Sequence, residues 1–179
     1  MAENKTILRN TAMQYGTIMG LFWMAKFSLV PLGIRNPSLH VLFFILTLCV
    51  PFIGYYFARS FRVKECNNML SYKRSVIFLI LMYFYASLLV AVAHYIYFHF
   101  FDKGALMEFY KSSLIELKST ATGQVIDSIN QIETTLDTFV TMSPLDLTFY
   151  FLSNNLFYCF IIAVITAFFV MRRKINTQS

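Results

Sequence analysis

Four long apolar stretches, at roughly 12–33, 38–58, 75–101 and 145–171, dominate the pattern along the chain, and each meets the ~20 helical residues that cross a bilayer core about 30 Å thick. The first follows Lys5 and Arg9 and closes near Pro31, Gly33 and Arg35. The second begins after Asn36-Pro37, a helix-start signal, and carries Pro51, which predicts a kink in its inner half. The third is the longest and is rich in Tyr and Phe, so it is expected to tilt or project beyond the hydrocarbon. The fourth opens on Ser143-Pro144-Leu145-Asp146, where Ser143 can cap, Pro144 needs no amide partner and Asp146 meets the positive end of the helix dipole. It ends at Met171, before the cations Arg172, Arg173 and Lys174.

Between the third and fourth stretches, residues 102–142 change period. Val125, Ile129, Ile132, Leu136 and Phe139 alternate steps of four and three, the seam of an amphipathic helix. Tyr110, Leu114, Leu117 and Ala121 repeat it one segment earlier, with Gly123 between. Two short helices, or one bent helix, are expected. The second segment carries Asp127, Glu133 and Asp137 without Lys or Arg, which disfavours docking on anionic lipid and favours a protein contact. The fold class is therefore all-α: one polytopic membrane domain over 1–179, with four transmembrane helices and an extracytoplasmic helical segment between the third and fourth.

Composition supports lipid as the solvent, since 58% of residues are hydrophobic and 13% charged, against about 45–50% and 25% in soluble domains. The net charge of +6 reports orientation rather than nucleic-acid binding, because the basic residues flank the apolar stretches and no soluble basic domain holds them. With the N-terminus inside, the cytoplasmic flanks hold ten of the fifteen Lys and Arg, which also puts the C-terminus inside. The first stretch is too long for a signal-peptide core and is kept as a helix of the mature protein. Cys49, Cys66 and Cys159 lack metal-ligand spacing and read as free thiols.

Lys26 is the one formal charge well inside an apolar stretch, on a stripe with Tyr15, Met19 and Phe22. Such residues are costly and suggest function. A polar intramembrane site would join it to Asn154 and Asn155 at similar depth; the favoured alternative is that it snorkels outward along its own methylenes. Gly16 and Gly20 form a G-x-x-x-G pair, read as ordinary helix packing before a dimer face. His40, His94 and His99 fall near the outer interface, but His94 and His99 are five apart and do not share a helix face, so headgroup-facing histidines are favoured over a metal site. Arg59, Arg62, Lys64, Lys73 and Arg74 could contact anionic lipid, although the positive-inside bias accounts for them by itself. No phosphate loop, zinc motif or nucleophile turn occurs, so no catalytic, cofactor or metal residue is assigned.

Tyr15-Gly16-x3-Gly20, then Tyr55-Tyr56-Phe57-Ala58-Arg59, a basic connector ending in Ser71-Tyr72, a long outer connector, and Asn155 in a last helix ending Arg172-Arg173-Lys174 form a further pattern. It resembles the bacterial membrane-protein family known as domain of unknown function 4199 (DUF4199) over nearly the whole chain. The resemblance implies a four-helix protein of the bacterial inner membrane and brings no activity and no functional residues. Neighbouring membrane glycosyltransferase genes associate the family with envelope sugar chemistry, an association rather than a mechanism. Two roles are expected from the residues. The first is a non-enzymatic accessory or scaffold subunit of the cell envelope, holding a membrane-protein partner through 104–141. The alternative is a small transporter or flippase-like protein using Lys26 with Asn154 and Asn155; since four helices enclose little volume, it would need a homo-oligomer.

Overall fold

The structure, a computed structural model, describes residues 2–172, with side chains from residue 5 onward. Four helices are long and apolar enough to cross a membrane: α1 (Ala2–Gly33), α2 (Ser38–Glu65), α3 (Tyr72–Ile96), which runs on into a π-helical turn (Tyr97–Asp102), and α6 (Pro144–Val170). Between α3 and α6 the chain forms α4 (Ala105–Thr120) and α5 (Gln124–Thr141). The two amphipathic segments are thus separate helices, divided at Gly123, whose φ of 62° suits only a residue without a β-carbon. The first helix starts ten residues before its apolar stretch, and the second runs seven beyond its own, because amphipathic flanks extend a helix past the hydrocarbon limit. Pro51 lies within α2. Arg173 and Lys174 lie outside the described residues.

Packing is centred on α3, which lies against α1 on one side and α6 on the other, while α2 joins α1 to α6 and meets α3 through a few large side chains such as Phe61 and Tyr83. Gly16 and Gly20 make the α1–α3 contact close: a β-carbon on Gly16 would stand 2.6 Å from the Met82 carbonyl oxygen, and one on Gly20 would stand 2.9 Å from Leu89 Cδ1. The pair therefore serves packing within the chain, as small residues do where lipid supplies no hydrophobic drive between helices. Phe61 stacks on Phe78 with centroids 4.2 Å apart, and Tyr15 on Phe57 at 4.8 Å, filling the core where the helices converge.

The buried residues of α2 all fall between Val50 and Arg62, in its C-terminal half. Its N-terminal half touches α1 through His40 and Phe43 and has no fully buried residue before Val50, and Phe44, Leu48 and Phe52 are exposed by 66, 71 and 74%. Exposed apolar faces of this extent on every long helix match a lipid surround and not water. At the convergent end, Arg62 is buried and its Nη1 donates to the Val170 carbonyl at 2.6 Å, satisfying the end of α6. Arg62 is accordingly a latch between α2 and α6, a correction to its expected place among lipid-facing cations; Arg59, Lys64 and Lys73 are exposed, and Arg74 lies over the Phe61 ring. Beside it, Leu70 and Arg172 exchange backbone hydrogen bonds of 3.1 and 2.9 Å.

The hairpin of α4 and α5 covers the opposite end. Ion pairs join Lys111 to Asp137 and Lys118 to Glu133, the latter at 2.9 Å, so two of the three acids on α5 are answered by α4. Leu106, Met107 and Leu136 form a second core with Phe98 and Leu147, binding the hairpin to α3 and α6. Asp102 shapes the entry: it accepts from Tyr97 Oη at 2.9 Å, Leu106 N at 3.0 Å and Gly104 N at 3.2 Å. Lys103 and Gly104 then turn through left-handed backbone, with φ of 45 and 87°. At the exit, Ser143 and Asp146 form a capping box, as their spacing predicts.

Candidate functional site

Where α2 stands off from α3, the bundle holds a half-open cavity of about 610 Å³ walled by α1, α2, α3 and α6 and roofed by Leu106, Tyr110 and Leu136 of the hairpin. Ligand sites span about 300–1,000 Å³, are mostly apolar and carry a few convergent polar groups, and this cavity has that character. One copy thus contributes all of these lining residues. The reason for the cavity is the one-ended packing of α2, which composition does not reveal.

Lys26 reaches this cavity from α1, half-buried, with Nζ 5.1 Å from the Phe43 ring centroid and 5.9 Å from that of Trp23. Its ammonium therefore lies against aromatic faces at the cavity wall, an attractive placement for a cation. No carboxylate among the described residues lies within ion-pair distance of it. Asn155 enters the same cavity from α6, whereas Asn154 turns back on its own helix, donating from Nδ2 to the Tyr150 carbonyl at 2.9 Å. Of the expected polar trio, Lys26 and Asn155 share a cavity and Asn154 does not line it. Successive residues on a helix diverge by about 100°, so only one of an adjacent pair can face the same point.

His94 is the residue that the reading of the sequence misplaced. It is buried, lines the cavity, and packs edge-on to Phe27 with centroids 4.2 Å apart. Its Nδ1 has no hydrogen-bond partner, nor does the buried Nε1 of Trp23 on the same wall. The other histidines go elsewhere: His99 is exposed and stacks on Tyr95, and His40 sits 3.5 Å from Tyr110 Oη over Gly33. Among the described residues no three His, Cys, Asp or Glu side chains gather as a metal-binding group. Burial raises the Tyr110 phenol above its ordinary range, so it is present as a neutral hydroxyl at the cavity roof.

A sequence signal for His94 and Trp23 did exist. Trp23 lies one turn from Lys26 on α1, and His94 was read from its spacing to His99 near the outer interface, but neither spacing along one helix nor hydropathy reports which face of an apolar helix turns inward.

Residues 14–172 match the family described as protein of unknown function (DUF4199). The chain belongs to the DUF4199 family. The match takes in α2, α3, the hairpin and α6 entire, together with α1 from Gln14 to its end, so every wall of the cavity lies within the family's span. No curated protein and no solved structure matches the chain. This DUF4199 chain is a helical membrane-type bundle with a roofed cavity whose lining includes Lys26.

Proposed function

We propose that this DUF4199 chain is a multi-pass protein of the bacterial inner membrane, with both termini cytoplasmic and the α4–α5 hairpin outside, that binds a small amphiphile in its cavity. The observation that carries the reading is that Lys26 of α1 and Asn155 of α6 both line one otherwise largely apolar cavity. An ammonium and an amide held on separate helices inside hydrocarbon are costly unless they act on something polar. Thr47 of α2 and Tyr158 of α6 line the cavity and are also exposed, which suits entry from the lipid between these two helices. The role is transport-like or lipid-handling and needs no second copy to build the site.

Native mass spectrometry of the full chain released from mild detergent tests this. The wild type is expected to retain a bound amphiphile, and Val30→Phe, which adds bulk to the cavity wall, to lose it. A bare wild type, or a variant as laden as the wild type, would count against the reading.

The accessory reading keeps one specific support. Ile115, Leu117, Val125 and Ile132 leave the hairpin exposed by 63, 52, 53 and 50%, although Ile129 and Leu136 are buried within the chain. A membrane-protein partner of the envelope bound through 104–141 would use these side chains. Val125→Lys with Ile132→Lys should then release a crosslinked partner without emptying the cavity; an undiminished crosslink would exclude that contact.

A further inference from the structure

Among the described residues, Lys26 is the only formally charged one lining the cavity, and no described aspartate or glutamate joins it there. A cation in low dielectric without a counter-charge is held at an electrostatic cost that an incoming anion would remove. The rings of Trp23 and Phe43 soften this cost but supply no negative charge.

The neutral polar groups also ask for an acceptor. Asn155 and the hydroxyl of Tyr158 on the cavity lining can donate. A cationic head would repel Lys26, and a pure hydrocarbon would leave it without a counter-charge. An anionic oxygen head supplies the counter-charge and an acceptor for these donors.

The rest of the wall is hydrocarbon and ring: Phe27, Val30, Val90, Phe98, Leu136 and Ile162 extend from the hairpin roof to the convergent half of the bundle. Lys26 lies seven residues before the end of α1, roughly 10 Å along the helix axis. An amphiphile held there has its head away from the bundle end and its chain beside the aromatic wall. The cavity volume of about 610 Å³ accommodates one chain with its head.

From these observations we infer that the cavity takes a single-chain anionic amphiphile, whose carboxylate or phosphate is set against Lys26 with its hydrocarbon along the aromatic wall. This rests on the ligand-binding reading above and gives that ligand its chemical class. Carboxylate and phosphate heads share the required chemistry, a compact anion with accepting oxygens.

Trp23 is the sole tryptophan of the chain and stands on the cavity wall, so its fluorescence reports entry of a heavy-atom quencher. The full chain in nanodiscs of unbrominated phosphatidylcholine would be titrated with dibromostearate, dibromo-octadecyl phosphate, the matching dibromo-alcohol and the matching trimethylammonium. Trp23 is only 6% exposed, so probe dissolved in the bilayer contributes a shallow, unsaturating background. Saturable quenching by an anionic probe is expected at roughly one tenth of the alcohol concentration, the factor for one charge-assisted contact. The better of the two anions names the source, fatty-acid-like or phospholipid-like. Lys26→Met should bring anion and alcohol within about twofold of one another, and Lys26→Arg should keep the preference. Saturable quenching by alcohol and trimethylammonium as readily as by the anions, unchanged in Lys26→Met, would overturn the anionic assignment and leave the cavity as a ligand site. No saturable quenching by any probe would overturn both.

Discussion

Lys26→Met is expected to make the unliganded protein more stable. Methionine keeps the length of the side chain and its contact with Trp23 and Phe43 while removing the charge. At the centre of a membrane helix a lysine costs about 2.5–3.5 kcal/mol on insertion scales. Lys26 is half-buried and off-centre, so only part of that cost applies. Ring contacts at 5.1 and 5.9 Å return about 0.5–2 kcal/mol together at such a site. A net gain of about 1 kcal/mol remains, which in a chain of this size is roughly 2–4 °C in Tm. The assay is thermal unfolding by circular dichroism in delipidated detergent, with Lys26→Arg as the control that preserves charge. A Tm below that of the wild type would refute the reasoning, because it would mean that the ammonium–ring contacts outweigh desolvation and that Lys26 serves the fold. Excess anionic amphiphile should narrow or reverse the difference, stabilising the wild type by mass action more than Lys26→Met.

At the α1–α3 contact, Gly16→Ala should destabilise more than Gly20→Ala, by about 1–3 kcal/mol of overpacking. The added methyl on Gly16 meets the Met82 backbone carbonyl at 2.6 Å, whereas that on Gly20 meets the flexible Leu89 side chain at 2.9 Å. Equal or inverted melting temperatures would contradict this. Asp102→Ala removes the acceptor for Leu106 N, Gly104 N and Tyr97 Oη, so hydrogen exchange should rise across Leu106–Tyr110 and stay unchanged in the α1–α3 core; no rise would dismiss Asp102 as the anchor of the hairpin.

Much of the architecture is local and therefore legible in the residues themselves. Four apolar lengths define the helices that can cross a bilayer, because backbone polar groups in hydrocarbon must be satisfied within a helix. The period of Val125 to Phe139, the stop at Gly123 and the capping pair Ser143 and Asp146 define the hairpin and its exit, since each depends on neighbours a turn away. The close approach at Gly16 and Gly20 belongs to the same class.

The candidate site was legible only in part. Lys26 and Asn155 were found as polar residues in apolar runs, but their partnership, the exclusion of Asn154, the inward turn of His94 and the latch formed by Arg62 were decided by tertiary packing. The physical reason is the solvent. In water, a helix shows its inward face by hydrophobicity; in lipid, core and surroundings are equally apolar, so the rotation of each helix about its axis is set by packing and hydrogen bonds with its neighbours. The standing-off of α2, which opens the cavity, is likewise a property of how Val50–Arg62 pack against α1 and α6, and no pattern within α2 alone contains it.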